Sequence, residues 1–223
     1  MQDLQNLEIF EIEVLELLNS FKILEQLYFG GGTMLRLCHN LNRFSTDLDF
    51  WLNNSSDSKI IFQKTKNVLS KKYLMLDSAN KQNTLLFQFR FPAVKRSLKI
   101  EIRKNQTNFD WERKIAFSRF TTKQVQVKGL TLEQMMKNKT AALLSRKIIR
   151  DAFDIQFMIM RGIEIHANKN ELKEMLKIIQ NFKSLDFKVI LGSVLDSKKR
   201  EFYVQNHFSL LKEEVLRKLN EIS

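Results

Sequence analysis

The chain has few residues that favour turns: its 223 residues include six glycines and one proline, Pro92. An all-β protein with many tight turns would need more of both. Three of the glycines stand together at 30–32, where a short apolar segment ends and a helical pattern begins. The sequence therefore predicts a helix-rich fold with few, short loops and one specialised glycine turn.

Hydrophobic periodicity divides the chain into a mixed first part and a helical second part. We predict an α+β protein, with an N-terminal α/β lobe containing a mixed sheet, residues 1–128, and a C-terminal helical lobe, residues 129–223. Strands are predicted at 23–29, 45–52, 84–91, 97–103 and 125–127, and helices at 4–20, 33–40, 59–72, 131–160, 170–182, 185–195 and 199–221.

The single cysteine, Cys38, excludes an intramolecular disulfide and a cysteine-rich zinc site. The first residues show no basic segment followed by an apolar one, as a secretory signal would. No apolar run approaches the roughly 18 residues needed to span a bilayer. We therefore expect a cytoplasmic protein with no membrane partner.

Asp47 and Asp49 lie in a segment, 45–52, that alternates polar and apolar residues over its central part. Side chains two apart in a strand project from the same face, so we expect the two carboxylates to face one space while Leu48 and Phe50 face the core. Adjacent carboxylates repel and need a counter-charge. Carboxylate and triphosphate oxygens are ligands that Mg²⁺ prefers, so the pattern predicts a magnesium site.

The glycine run predicts a complementary contact for a triphosphate. Without a Cβ, Gly31 and Gly32 let backbone N–H groups approach a phosphate, and the helix that follows directs its positive end to the same place. Thr33 can add a hydroxyl donor. The run is neither a P-loop nor a dinucleotide fingerprint, because Gly-Lys-Ser/Thr and Gly-x-Gly-x-x-Gly are both absent.

A third acid, Glu101, lies between Ile100 and Ile102 on a later predicted strand. Its side chain should face away from both isoleucines, and a third carboxylate would complete a two-metal site. Taken alone, the glycine turn, the Asp-x-Asp pair and this glutamate each have an ordinary structural explanation. Their order along the chain favours a shared catalytic role.

Two blocks of sequence resemble the AbiEii/AbiGii toxin family of nucleotidyltransferases, within the polymerase β superfamily. The first is Gly-Gly-Thr-x-Leu at 31–35 followed by Arg-x-Ser-x-Asp-Leu-Asp-Phe at 43–50. The second is Lys-x-x-Ala at 139–142, an arginine two turns later, and Arg-Asp-Ala-Phe-Asp-Ile at 150–155, where the family has Tyr and Leu at the fourth and sixth positions. The resemblance covers about residues 27–160.

The resemblance implies a polymerase β-like lobe that transfers a nucleotide from an NTP, with two Mg²⁺ ions, to an acceptor that in some members is the 3′ end of tRNA. It also implies a toxin of an abortive-infection, toxin–antitoxin system with a cognate antitoxin protein. Carried over by position, the metal ligands are Asp47, Asp49 and Glu101; the nucleotide-binding residues are Gly31, Gly32, Thr33, Ser45, Lys139 and Arg146; and the catalytic residues are the three acids with Lys139 and Asp154.

The second block, taken as one helix, places its charged residues on a shared face. Lys139, Arg146, Arg150 and Asp154 follow one another at spacings of seven, four and four. Lys139 would contact the triphosphate as a point charge, an arginine would bind phosphate or carboxylate bidentately, and Asp154 would orient one of these cations. A solvent-exposed ladder of salt bridges would show the same spacing.

The net charge of +12 is concentrated in the middle of the chain. Residues 95–150 contain fifteen Lys or Arg and four acids, a local excess of +11. Such a stretch favours an RNA acceptor. Two other functions remain open: a catalytically inactive nucleotide- or nucleic-acid-binding module, and a nucleotidyltransferase that modifies protein side chains.

Overall fold

The computed structural model describes residues 1–91, 96–104 and 108–222; Pro92 and Lys95, used in the sequence analysis, lie outside these ranges. The chain divides into two compact units, Met1–Thr131 and Leu132–Ser223. The predicted boundary after residue 128 falls inside a strand, Gln124–Leu130, which is longer than the predicted 125–127.

The first unit alternates helices with strands. A short 3₁₀ turn, Leu24–Gln26, occupies the start of the segment predicted as the first strand. The elements are α1 Gln2–Ser20, β1 Leu27–Gly30, α2 Gly31–His39, β2 Asp47–Leu52, α3 Ser58–Ser70, β3 Leu74–Asn80, β4 Thr84–Arg90, β5 Leu98–Arg103, β6 Trp111–Phe117 and β7 Gln124–Leu130.

Among the described residues, seven strands form one mixed sheet in the order β3-β4-β5-β2-β1-β7-β6. The β1–β7 and β2–β5 pairs are parallel and the others antiparallel. This confirms the predicted α+β class with a mixed sheet. Parallel pairing at the centre brings β2 beside β5, although they are far apart in sequence.

The helices of the first unit pack on one face of the sheet, here called the inner face. Phe10 of α1 packs edge-on against Phe89 with ring centroids 5.8 Å apart, and Phe62 of α3 stacks on Phe87 at 5.3 Å. The outer face carries the alternate residues of each strand, because cross-strand partners share a face. Leu48 and Phe50 are buried on the inner face, as predicted, which places Asp47 and Asp49 on the outer face.

Two strands of the sheet, β3 and β6, are absent from the sequence prediction. Each occupies an edge of the sheet. Their large apolar side chains face solvent: Leu74 and Leu76 are 56% and 48% exposed, and Ile115 is 46% exposed. The apolar positions therefore do not mark the core side of the strand, and alternation gives a misleading signal.

The second unit is helical among its described residues. It contains α4 Leu132–Arg146, α5 Ile149–Ile159, α6 Lys169–Asn181, a π-helical segment Asp186–Leu191, a 3₁₀ turn Gly192–Val194, α7 Ser197–Asn206 and α8 Ser209–Glu221. Across the described part of the chain, no helix combines the length and apolar character needed to cross a membrane.

The predicted single helix over 131–160 is wrong, because the chain breaks between α4 and α5. Lys147 adopts the left-handed conformation with φ +54°, and Ile148 is extended. Neither residue is a glycine or proline, so no local signal marks the break. The prediction over 199–221 is interrupted in the same way at His207, where φ is +50°.

Candidate active site

The glycine turn brings the backbone of α2 directly against Asp49. Gly31 has φ +73°, and a Cβ at this position would overlap the Asp49 Oδ2 and lie 2.8 Å from the Asp49 Cβ. Only glycine fits both the backbone conformation and the space. The first turn of α2, with its N–H groups, is thereby held beside the carboxylate of Asp49.

Gly32 faces a cation and a hydroxyl. A Cβ there would lie 2.6 Å from the Arg43 Nη2 and 2.8 Å from the Ser45 Oγ. Ser45, a predicted nucleotide-binding residue, therefore borders the glycine turn. Arg43, 3% exposed, is a residue that the sequence analysis did not assign to the site, although it begins the Arg-x-Ser-x-Asp-Leu-Asp block.

Thr33 has a different role from the predicted one. It is fully buried, and its hydroxyl donates to the backbone carbonyl of Asp47 at 2.6 Å. That hydrogen is not available to a phosphate. The bond instead ties the start of α2 to the start of β2, which fixes the glycine turn relative to the two aspartates.

Asp47, Asp49 and Glu101 occupy neighbouring positions on the outer face. Asp49 is the cross-strand partner of Glu101 on one side and of Gly30 on the other. The Glu101 carboxylate forms an ion pair with Lys99, two residues earlier on the same face. The hydrogen bond and the charge of Glu101 raise the pKa of Lys99. The charges of Asp47 and Asp49 raise it further.

The donor set suits a hard cation whose remaining ligands come from a triphosphate. Within residues 1–91, 96–104 and 108–222, no three His, Cys, Asp or Glu side chains are gathered to hold a metal. Glu101, the third predicted carboxylate ligand, is paired with Lys99. Mg²⁺ is usually held by one or two carboxylates together with substrate phosphates, and Asp47 with Asp49 fits that pattern.

Two buried acids of α1 support this corner of the sheet. Glu8 accepts hydrogen bonds from the Arg36 Nε at 2.9 Å and the Ser118 Oγ at 2.7 Å. Glu11 is 1% exposed, and burial raises its pKa well above the ordinary value, helped by the charges of Glu8 and Asp47. The raised pKa favours the protonated form of Glu11, which adds no negative charge near Asp47.

The second unit contains a buried cluster of ion pairs. The Lys139 Nζ lies 2.6 Å from the Asp154 Oδ2 and 3.0 Å from the Asp151 Oδ1. Arg146 binds Asp151 bidentately, through Nε at 2.8 Å and Nη2 at 2.9 Å. Asp151, which is 1% exposed and joins the two cations, is absent from the predicted site residues, although its place in the Arg-Asp-x-Phe-Asp block was an available signal.

The break between α4 and α5 creates this cluster. In one continuous helix Lys139 and Asp151, twelve residues apart, would be separated by about 18 Å along the axis. The observed 3.0 Å contact requires α5 to turn back on α4. The predicted shared face of Lys139, Arg146, Arg150 and Asp154 on one helix is therefore wrong, but Asp154 does orient Lys139 as expected.

Comparison with known structures supports the fold assignment. Helicobacter pylori JHP933 has 17% identity and a TM-score of 0.59, over 100% of this chain and 97% of that one. A second H. pylori protein, described as a nucleotidyltransferase, has 17% identity and a TM-score of 0.53, over 93% and 98%. At this identity the likeness shows the fold alone. A search of curated proteins finds no match.

The sequence profile of the family described as "Nucleotidyl transferase AbiEii toxin, Type IV TA system" matches residues 16–216. The match includes most of both units, with the glycine turn, Asp47, Asp49, Glu101 and the Lys139 cluster, but not Glu8 and Glu11. Family membership implies a nucleotide substrate and an antitoxin partner, and nucleotidyltransferases generally use an NTP and a divalent metal ion. The chain is a nucleotidyltransferase that belongs to the AbiEii toxin family of type IV toxin–antitoxin systems.

Proposed function

We propose that this nucleotidyltransferase moves a nucleotide from an NTP to the 3′ end of an RNA, tRNA in the first instance, with Mg²⁺ held by Asp47 and Asp49. The observation that carries the proposal is the contact between the glycine turn and Asp49, since any side chain at Gly31 would overlap that carboxylate. Backbone N–H groups for a phosphate and carboxylates for a cation are thus adjacent.

The residues of the first unit each have a defined task in this proposal. The first N–H groups of α2 and the Arg43 guanidinium bind the triphosphate, and Ser45 adds a hydroxyl beside them. Asp47 and Asp49 supply the metal ligands. The bound metal ion would neutralise the phosphates and lower the pKa of the attacking hydroxyl. Positioning and charge neutralisation then account for most of the acceleration.

Glu101 is the proposed ligand of a second ion. Its position as the cross-strand partner of Asp49 supports this assignment, which requires Glu101 to separate from Lys99. Lys99 in turn holds a positive charge near the two aspartates while no cation is bound.

The cluster in the second unit supports the prediction that Lys139 and Asp154 are needed for activity. A lysine with its side chain 9% exposed, held by two aspartates that are 1% and 0% exposed, is a costly arrangement. Buried charges of this kind are concentrated at functional sites, although structural networks also contain them. Arg146 completes the cluster through Asp151.

The test is label transfer from each of the four NTPs to total tRNA with Mg²⁺. Wild-type protein and Asp77→Asn, a change at an exposed position of β3, should label the RNA, whereas Asp49→Asn or removal of the metal with EDTA should not. Periodate oxidation of the terminal ribose should block labelling if the 3′ hydroxyl is the acceptor.

The other outcomes are informative. NTP binding without transfer to any acceptor identifies an inactive binding module and contradicts the proposal. Label in protein instead of RNA identifies the side-chain-modifying enzyme. Transfer that survives Asp49→Asn removes the metal site from the mechanism.

A further inference from the structure

The outer face of β6 and β7 is an exposed surface that carries both rings and cations. We call it the β6–β7 surface and define it by Trp111, Arg113, Ile115 and Phe117 of β6 with Gln124, Gln126 and Lys128 of β7, which are cross-strand partners. Trp111, Ile115 and Phe117 are 39%, 46% and 39% exposed. Three large apolar side chains on an edge strand are unusual unless a partner covers them.

The charged residues of these two strands are sorted by face. Arg113 and Lys128 are cross-strand partners on the β6–β7 surface. Glu112 and Lys114 lie on the opposite face and neutralise each other at 2.9 Å. The β6–β7 surface therefore carries two positive charges. The net charge of Glu112 and Lys114 on the opposite face is zero. A polyanion is the occupant that this charge fits.

Two rings and a cation lie close together at one end of this surface. The Trp111 ring lies 5.8 Å from the Tyr28 ring, and the Lys128 Nζ lies 5.2 Å from the centroid of Trp111. Exposed rings interleaved with cations bind single-stranded nucleic acid, because every base can stack and every nucleotide carries a phosphate. A protein strand adding to the free edge of β6 would use backbone hydrogen bonds and would gain little from two cations.

Tyr28, which is half-buried, and Trp51, which is buried, connect the β6–β7 surface to the site. Tyr28 is the cross-strand partner of Trp51, which lies two residues beyond Asp49 on the same face of β2. Two residues of a strand span about 6.6 Å. Arg103, the partner of Trp51 on its other side, stacks on the Trp51 ring at 5.1 Å. The row of rings and cations thus begins one step from the carboxylates.

We propose that the β6–β7 surface binds the single-stranded 3′ segment of the acceptor RNA, with bases stacked on Trp111 and Tyr28 and phosphates on Arg113 and Lys128. The inference rests on the proposed function for the identity of its ligand. It adds the place where the acceptor binds and the residues that hold it.

The test measures anisotropy of a short fluorescein-labelled single-stranded RNA titrated with the full chain. Trp111→Ala should weaken binding about tenfold, the loss of about 1.4 kcal/mol of stacking, and Trp111→Phe should retain most of the affinity. The double variant Arg113→Gln with Lys128→Gln should make the slope of log K against log salt shallower by about 1.4, two phosphate contacts of about 0.7 each.

The matched control is Lys64→Gln with Lys71→Gln. It removes the same charge from exposed positions at α3, on the inner side of the sheet, and should leave the slope unchanged. Unfolding temperatures identify any variant that has lost its fold, and the salt slope reports contacts that a purely structural role would not change.

RNA binding that is unchanged in both Trp111→Ala and the double variant overturns the proposal and leaves the edge of β6 to a protein strand. An equal change of slope in the control pair also overturns it, because net charge would then suffice. The binding assay does not depend on nucleotide transfer. If the enzyme labels RNA but Trp111→Ala binds RNA with wild-type affinity, the result refutes this surface alone. RNA binding through Trp111 without any transfer refutes the proposed reaction alone.

Discussion

Gly31→Ala is the substitution whose effect the structure defines most closely. Gly31 has φ +73°, a conformation that costs an L-residue roughly 1–2 kcal/mol. The new methyl would also overlap the Asp49 carboxylate and approach its Cβ and Cγ to 2.8 and 2.9 Å. Either Asp49 or the first turn of α2 must move, and both belong to the proposed site.

Gly162→Ala provides the matched control. Gly162 has φ +80°, so the backbone strain is comparable, but no atom lies within 4 Å of the position that its Cβ would take. Both variants should lower the unfolding temperature by roughly 2–8 °C, from 1–2 kcal/mol at about 2–4 °C per kcal/mol. The additional loss in Gly31→Ala is the contribution of the contact with Asp49.

Activity should separate the two variants more sharply than stability. A displacement of about 1 Å in a catalytic group can lower a rate about 100-fold. We therefore expect Gly31→Ala to lose about two orders of magnitude in nucleotide transfer, measured as initial rates at saturating NTP, while Gly162→Ala keeps the wild-type rate. Wild-type transfer by a folded Gly31→Ala protein would refute the role of this contact.

Two further predictions concern buried charges. Lys139→Met leaves Asp151 and Asp154 buried without their shared cation, so urea denaturation should show a loss of about 3–5 kcal/mol; a loss below about 1 kcal/mol would contradict the burial of the cluster. The raised pKa of Glu11 means that the stability contributed by its protonated form is present below the unfolded pKa of about 4.3 and is lost as pH rises toward and through the folded value. Glu11→Gln cannot ionise, so its unfolding temperature relative to wild type should rise as pH increases above the unfolded pKa of about 4.3; parallel curves would show that Glu11 does not titrate in this way.

The sequence by itself determined the local parts of the first site. Alternation in the central part of 45–52 placed Asp47 and Asp49 on one face with Leu48 and Phe50 in the core, because the side-chain period of a strand is two. The glycine run predicted a close approach of the backbone to a phosphate, and the structure adds that Gly31 also lies directly against Asp49. These features depend on neighbours in the chain and on backbone geometry, which local sequence encodes.

Only the tertiary structure decided which charges pair. Glu101 was correctly placed beside Asp49, yet its carboxylate binds Lys99, and the Thr33 hydroxyl binds the carbonyl of Asp47 instead of remaining available to a phosphate. Two residues that the sequence analysis did not assign to a site, Arg43 and Asp151, enter through contacts. Each outcome depends on which of several nearby groups a side chain binds. The periodicity of the sequence does not predict that choice.

The break at Lys147 shows the same limit most clearly. Local sequence favours one helix through 131–160, with neither glycine nor proline to end it. The chain nevertheless leaves the helix, because turning back allows α5 to pack against α4 and Asp151 and Asp154 to reach Lys139. Burial and ion pairing between residues that are twelve or more positions apart in the sequence outweigh the cost of one left-handed residue, which is roughly 1–2 kcal/mol.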